Sequence, residues 1–138
     1  MLSRVKYTGL ILALLILLPA HTFHTGDLRA YKGNLFRDTF FKDPIEKLII
    51  IFPDGEYFYF TTGHEVTVDM DAWRCIAILK HNGRDIMNAI IVVHNHPMGP
   101  SRFSRGDIGF LRILQQHGFE GSFLLYDQPN KEIHTYED

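Results

Sequence analysis

Residues 89–107, AIIVVHNHPMGPSRFSRGD, decide the fold of this chain. The first five, residues 89–93, are apolar and mostly β-branched, which predicts a short strand buried on both faces. His94 and His96 follow at the exit of that strand. Because side chains alternate between faces along an extended chain, both imidazoles are expected on one side. Pro97 should end the strand, because it has no N–H to donate.

A carboxylate joins the two histidines. Asp107 lies eleven positions after His96, at the start of an apolar-periodic segment, residues 108–117, that predicts a helix ending at Gly118. Two imidazoles and one carboxylate are the ligand set of a catalytic zinc site, which leaves a fourth position for water. The sequence therefore predicts a metal centre between this strand and this helix.

Two other interpretations of the same residues stay open. Ser104 and Asp107 also fit the Ser/Thr-x-x-Asp/Glu pair that caps the N-terminus of a helix. A non-haem iron centre uses the same ligand types as the proposed zinc site. In that class a carboxylate normally follows the first histidine by two residues, whereas His96 occupies that position here.

The spacing of these residues resembles a known motif. His94-x-His96-Pro97, followed after six residues by Ser104-x-x-Asp107, is similar to the JAMM motif of the JAB/MPN metalloprotease superfamily. The tetrapeptide HNHP that begins at His94 resembles the bacterial RadC-like branch. The resemblance implies one zinc ion per chain, held by the two histidines and the aspartate. It also implies that Ser104 helps to hold the tetrahedral intermediate.

The resemblance covers residues 45–136 and implies a zinc-dependent metallopeptidase that hydrolyses a peptide or isopeptide bond. Its substrate would be a protein or peptide, with conjugates of ubiquitin-like modifiers as one class. In the superfamily the general base is a glutamate on an early strand. Glu46 opens an apolar run and lies 48 residues before His94, so we expect it to be the base. Glu56 and Glu65 are the alternatives.

Two further function classes stay open. One is a RadC-like protein, from a branch linked to DNA repair whose chemistry the resemblance does not define. The other is a non-catalytic MPN scaffold, although all four motif positions are present here. A net charge of −2, from 14 basic and 16 acidic residues, gives no support for a nucleic-acid partner. Cys75 is the one cysteine of the sequence, so no intrachain disulfide can form.

The N-terminal segment differs from the rest of the chain. Arg4 and Lys6 precede an uncharged apolar run over residues 10–20, which is the layout of a secretory signal and is short for a membrane span. We expect residues 1–24 to be a signal peptide or an N-terminal membrane anchor, and residues 25–138 to be the JAB/MPN-like domain. The protein would then be exported or membrane-anchored. Alternatively, the segment packs on the domain as core and the protein is cytoplasmic.

The remaining patterns predict an α/β domain in two or three layers with a central sheet. This is consistent with the MPN (JAB)-like fold that the resemblance implies, a mixed central β-sheet flanked by helices. Residues 27–43 suggest a short helix, and Val66 with Val68 a short strand. Residues 47–52 and 57–61 predict a hairpin around a Pro-Asp-Gly turn, with the aromatics of its second strand in the core. Strands are also expected over residues 121–126 and, at the sheet edge, 131–136.

One more helix is expected between the hairpin and the histidine strand. Asp69 or Asp71 should cap it, and Gly83 should close it. Its inward positions are predicted to be Trp73, Ile76 and Ala77, which follow a helical period.

Overall fold

The structure, a computed structural model, describes residues 22–27, 40–61 and 71–137. These residues form six strands and two α-helices, with one short 3₁₀ turn. In chain order the elements are β1 (Thr22–Asp27), β2 (Lys47–Ile51), β3 (Glu56–Thr61), α1 (Ala72–His81), the 3₁₀ turn (Ile86–Asn88), β4 (Ile91–His96), α2 (Arg105–Gln116), β5 (Ser122–Asp127) and β6 (Glu132–Thr135).

All six strands belong to one sheet, in the order β1-β3-β2-β4-β5-β6. Strands β4 and β5 are parallel, and every other pair of neighbours is antiparallel. Helix α2 connects the two parallel neighbours, and α1 connects β3 to β4 past the intervening β2. The predicted α/β class with a mixed central sheet is therefore confirmed.

Both helices pack on the same face of the sheet. The core on that face combines apolar side chains of the strands with the inner sides of α1 and α2, including Val92, Leu79 and Leu114. The opposite face carries a smaller cluster in which the rings of Phe40 and Phe41 cover Tyr57 and Tyr126. Of the two arrangements expected, the described residues form two layers.

The hairpin of β2 and β3 is confirmed, together with its turn. The Phe52 N–H donates to the Glu56 carbonyl at 2.9 Å, and Gly55 has a φ of +93°, which glycine adopts without steric cost. Phe58 and Phe60 are buried on the helical face, whereas Tyr57 is buried on the other face. The aromatic strand is thus core, as expected.

Helix α1 is confirmed in its ends and in the inward position of Ile76, which is buried, whereas Ala77 is only partly buried. Asp71 caps it by accepting the Trp73 N–H at 2.9 Å, and Gly83 has a φ of +73° just beyond it. The expectation that Trp73 points inward is wrong, because its side chain is 55% exposed. The helical period that reaches the core starts one residue earlier, at Ala72, and includes Cys75, Ile76 and Leu79.

The N-terminal predictions largely concern residues outside those described. The expected helix over residues 27–43 falls mostly within 28–39, and the expected strand at Val66 and Val68 falls within 62–70. Strand β1 was not predicted, and the proposed boundary between residues 24 and 25 lies inside it. Among the described residues, no helix is long and apolar enough to cross a membrane.

Candidate metal centre

Strand β4 carries the two histidines on the face that the helices cover. The apolar run alone predicted that the two histidines follow the strand. The strand instead runs through His96, so both histidines belong to it. The expected start at residue 89 is wrong, because Ala89 follows directly on the 3₁₀ turn and the strand begins at Ile91. It reaches His96 because the ladder to β5 continues as far as the pair His96 and Asp127. Val92 lies in the helical-face core, and alternation places His94 and His96 on the same side. The expected same-face pair is confirmed by ring centroids 5.1 Å apart.

Asp107 lies between the two imidazoles. One of its carboxylate oxygens, Oδ1, lies 3.2 Å from His94 Nε2, and the other, Oδ2, lies 3.2 Å from His96 Nε2. Each residue offers one ligand atom, and these three atoms all lie within 4.8 Å of one another. The structure therefore brings together the three side chains that the sequence suggested as metal ligands.

Asp107 reaches this position through the start of α2. Ser104 is the N-cap: its Oγ accepts the Asp107 N–H at 3.0 Å, and its own N–H donates to Asp107 Oδ2 at 2.7 Å. The capping interpretation of this pair is confirmed. It is compatible with metal binding, because the cap fixes the carboxylate while both of its oxygens still face the imidazoles.

The cap makes Ser104 a stability determinant whatever its other role. Ser104→Ala is expected to lower the free energy of unfolding by about 1 kcal/mol, and Ser104→Gly by only a few tenths of that amount, because glycine tolerates the N-cap position. Urea denaturation followed by circular dichroism measures both differences. Equal stability of the wild type and the alanine variant would show that the cap contributes little.

The two imidazoles differ in their hydrogen-bond partners. His96 Nδ1 lies 2.6 Å from the Pro100 carbonyl oxygen, which can only accept, so Nδ1 carries a proton. In the neutral imidazole the lone pair is therefore on Nε2. His94 is buried: among the described residues its Nδ1 has no hydrogen-bond partner, and its Nε2 has only the Asp107 carboxylate oxygen 3.2 Å away, without an aligned hydrogen bond. Buried polar atoms are rarely left without a partner. A metal ion would supply one for His94, so the donor set fits a cation.

The charges of the site also favour a bound cation. Burial alone would raise the pKa of Asp107, but its contacts with His94, His96 and the Ser104 N–H lower that pKa well below its usual range. Burial alone would lower the pKa of His96, but Asp107, the Pro100 carbonyl and the charge of Glu46 raise it above its usual value. The carboxylate is thus ionised and favours positive charge beside it.

Aromatic rings and a buried amide support the site from both sides. The rings of Phe103 and Phe123 lie 5.9 Å and 5.4 Å from the His94 ring, so the site has an apolar wall. Asn95, on the other face of β4, is fully buried: its Oδ1 accepts the Lys47 N–H at 2.6 Å and its Nδ2 donates to the Ile45 carbonyl at 2.9 Å. Sequence analysis missed this positioning role, because its partners lie about fifty residues away in sequence.

The three candidate bases lie in different places. The ladder between β2 and β4 ends at Leu48↔His94, and its register counted on by two residues would put Glu46 opposite His96. The charge of Glu46 raises the pKa of His96, so the two side chains are near enough to interact. Glu56 lies at the opposite end of the hairpin, where its carboxylate accepts the Arg84 Nε–H at 2.9 Å. Glu65 lies outside the described residues.

No protein-family model, curated protein or solved structure matches this chain.

Proposed function

We propose that this protein is a zinc-dependent metallopeptidase of the JAB/MPN type, with an MPN-like fold, that hydrolyses a peptide or isopeptide bond. One observation carries the proposal. Two imidazoles from one strand and a carboxylate from a helix start converge, with one ligand atom of each within 4.8 Å of the others, and His94 Nδ1 has no hydrogen-bond partner among the described residues.

Zinc suits this donor set. Two imidazole nitrogens and one carboxylate oxygen leave an open position, as in catalytic zinc sites. Bound there, zinc would lower the pKa of a water molecule towards neutrality and polarise a substrate carbonyl. His94, His96 and Asp107 would hold it, and the Pro100 carbonyl would fix the tautomer of His96.

Two further side chains take the chemical roles. Glu46, beside His96, would accept the proton of the attacking water and return it to the leaving amine. Ser104 Oγ accepts the Asp107 N–H, so its own hydroxyl proton is available to donate to the developing oxyanion. A donor of this kind is typically worth roughly 3 to 4 kcal/mol of transition-state stabilisation.

The substrate class follows from the resemblance of residues 94–107 to the JAMM motif. A protein or peptide is the expected partner, and conjugates of ubiquitin-like modifiers are a class to test. Nothing in the charge balance favours DNA, since the net charge is −2. A scaffold would have no need of two buried imidazoles that converge on an ionised carboxylate, which favours a catalytic site.

The zinc-loaded protein is expected to cleave members of a peptide mixture that includes isopeptide-linked lysines, with products identified by mass spectrometry. Chelation should stop cleavage, and added zinc should restore it. The double variant His94→Ala/His96→Ala is the matched control and should be inactive. Cleavage that persists in that variant and under chelation would contradict the proposal.

The Ser104 variants distinguish the role of Ser104 as a helix cap from its proposed role in stabilising the oxyanion. Ser104→Gly nearly preserves stability but lacks the hydroxyl, so its rate should fall by about 100-fold or more if the hydroxyl stabilises the oxyanion. A rate close to wild type in this variant would leave Ser104 with its capping role alone.

A further inference from the structure

We propose a second zinc-binding site, formed by Asp127, Glu132 and His134 where β5 meets the edge strand β6. It lies outside the site described above and does not depend on the proposed peptidase activity. Its three side chains each offer one ligand atom, and these atoms lie within 4.8 Å of one another.

The strand register explains why these residues meet. In the antiparallel pair of β5 and β6, Asp127 is opposite Glu132, and Leu125 is opposite His134. Directly opposed residues share a face, and so do residues two apart along a strand. All three side chains therefore lie on one face of the sheet, where His134 Nε2 is 3.7 Å from Glu132 Oε2.

Asp127 distinguishes this group from an ordinary surface cluster. The residue is 1% exposed, and its Oδ2 accepts a hydrogen bond from Asn130 Nδ2 at 2.7 Å. Its Oδ1 is buried and has no hydrogen-bond partner among the described residues. A buried carboxylate oxygen without a donor is costly, because water no longer solvates it. A cation beside Oδ1 would remove that cost.

His134 gives the second unpartnered atom. Its Nε2 is also buried without a hydrogen bond among the described residues, although the side chain as a whole is only half-buried. An imidazole nitrogen together with two carboxylate oxygens is a borderline donor set that suits zinc better than magnesium or calcium, which prefer oxygen alone. Glu132 is exposed and can adjust its position to complete the coordination.

Zinc at this site would stabilise the edge of the sheet. Strand β6 is a four-residue edge strand, and a shared ion would link it to β5 through side chains as well as backbone. Asp127 also pairs with His96 in the parallel ladder, so the second ion would lie on the strand next to the first site. Zinc at this position should therefore protect β6 against local opening.

Zinc titration of the full-length protein, with bound metal counted by elemental analysis after gel filtration, tests the proposal. The wild type is expected to retain two ions per chain. His134→Gln and Glu132→Gln, both at partly exposed positions that should not disturb folding, are each expected to retain one. Glu137→Gln, an exposed carboxylate just beyond β6, is the matched control and should retain two.

Hydrogen exchange gives a second readout that is specific to this site. Zinc should slow amide exchange in residues 132–135 of the wild type and of His94→Ala/His96→Ala, but not in His134→Gln. If the first site binds no zinc, the wild type should hold one ion that His134→Gln loses, which would still support this proposal. Two ions in His134→Gln, or a single wild-type ion lost only in His94→Ala/His96→Ala, would overturn it.

Discussion

His96→Ala is expected to abolish zinc binding at the site formed by His94, His96 and Asp107. The variant leaves one imidazole and one carboxylate, whereas zinc sites in proteins normally have at least three protein ligands. Even changes in the groups that orient zinc ligands weaken binding by about 10-fold to 100-fold, so loss of a ligand should exceed about 100-fold. The side chain is buried, and its Nε2 faces the Asp107 carboxylate at 3.2 Å.

The cleanest measurement uses the His134→Gln background, in which the other candidate site has lost a ligand. Isothermal titration should give one zinc ion per chain in that background and none after His96→Ala is added. His81→Ala is the matched control, because His81 belongs to neither group of candidate ligands. Unchanged affinity after His96→Ala, or an equal loss after His81→Ala, would show that zinc binds elsewhere.

The local part of this site could be predicted because it follows from short-range rules. Alternation along a strand places His94 and His96 together, and the pair Ser104 and Asp107 sets the start of α2. Each rule acts within about four residues, so a single sequence contains it. The position of Gly118, with its φ of +92° after the last turn of α2, is predictable on the same grounds.

The features that could not be predicted depend on contacts between residues that are distant in sequence. Asn95 supports β4 from the other face through Lys47, 48 residues earlier, and Asp127 becomes a neighbour of His96 only when β4 and β5 pair. Trp73 shows the same limit within a helix. The helical spacing of Trp73 and Ile76 is compatible with an inward position for Trp73. The face of α1 that packs against the sheet begins at Ala72, however, so the prediction from hydrophobicity alone was wrong for Trp73.

Glu46→Gln is expected to leave zinc bound while hydrolysis falls by roughly 100-fold or more, the usual contribution of a general base. Glutamine keeps the shape of the side chain but cannot accept the proton. Glu46 directly precedes β2, and the register of β2 with β4 brings it beside His96. The Thr61 hydroxyl donates to the backbone carbonyl of Glu46 at 2.9 Å, which ties the start of β2 to the end of β3.

Glu56→Gln is the matched control, since its carboxylate pairs with Arg84 at the far end of the hairpin. That pair is partly exposed, so its loss should cost about 1 kcal/mol of stability and leave the rate nearly unchanged. Glu65→Gln completes the comparison, and zinc content is measured for all three variants. A decrease in rate without loss of zinc in Glu46→Gln alone would assign the base. If Glu46→Gln keeps near wild-type activity while Glu65→Gln or Glu56→Gln loses it, the base is Glu65 or Glu56, and the role given to Glu46 is wrong.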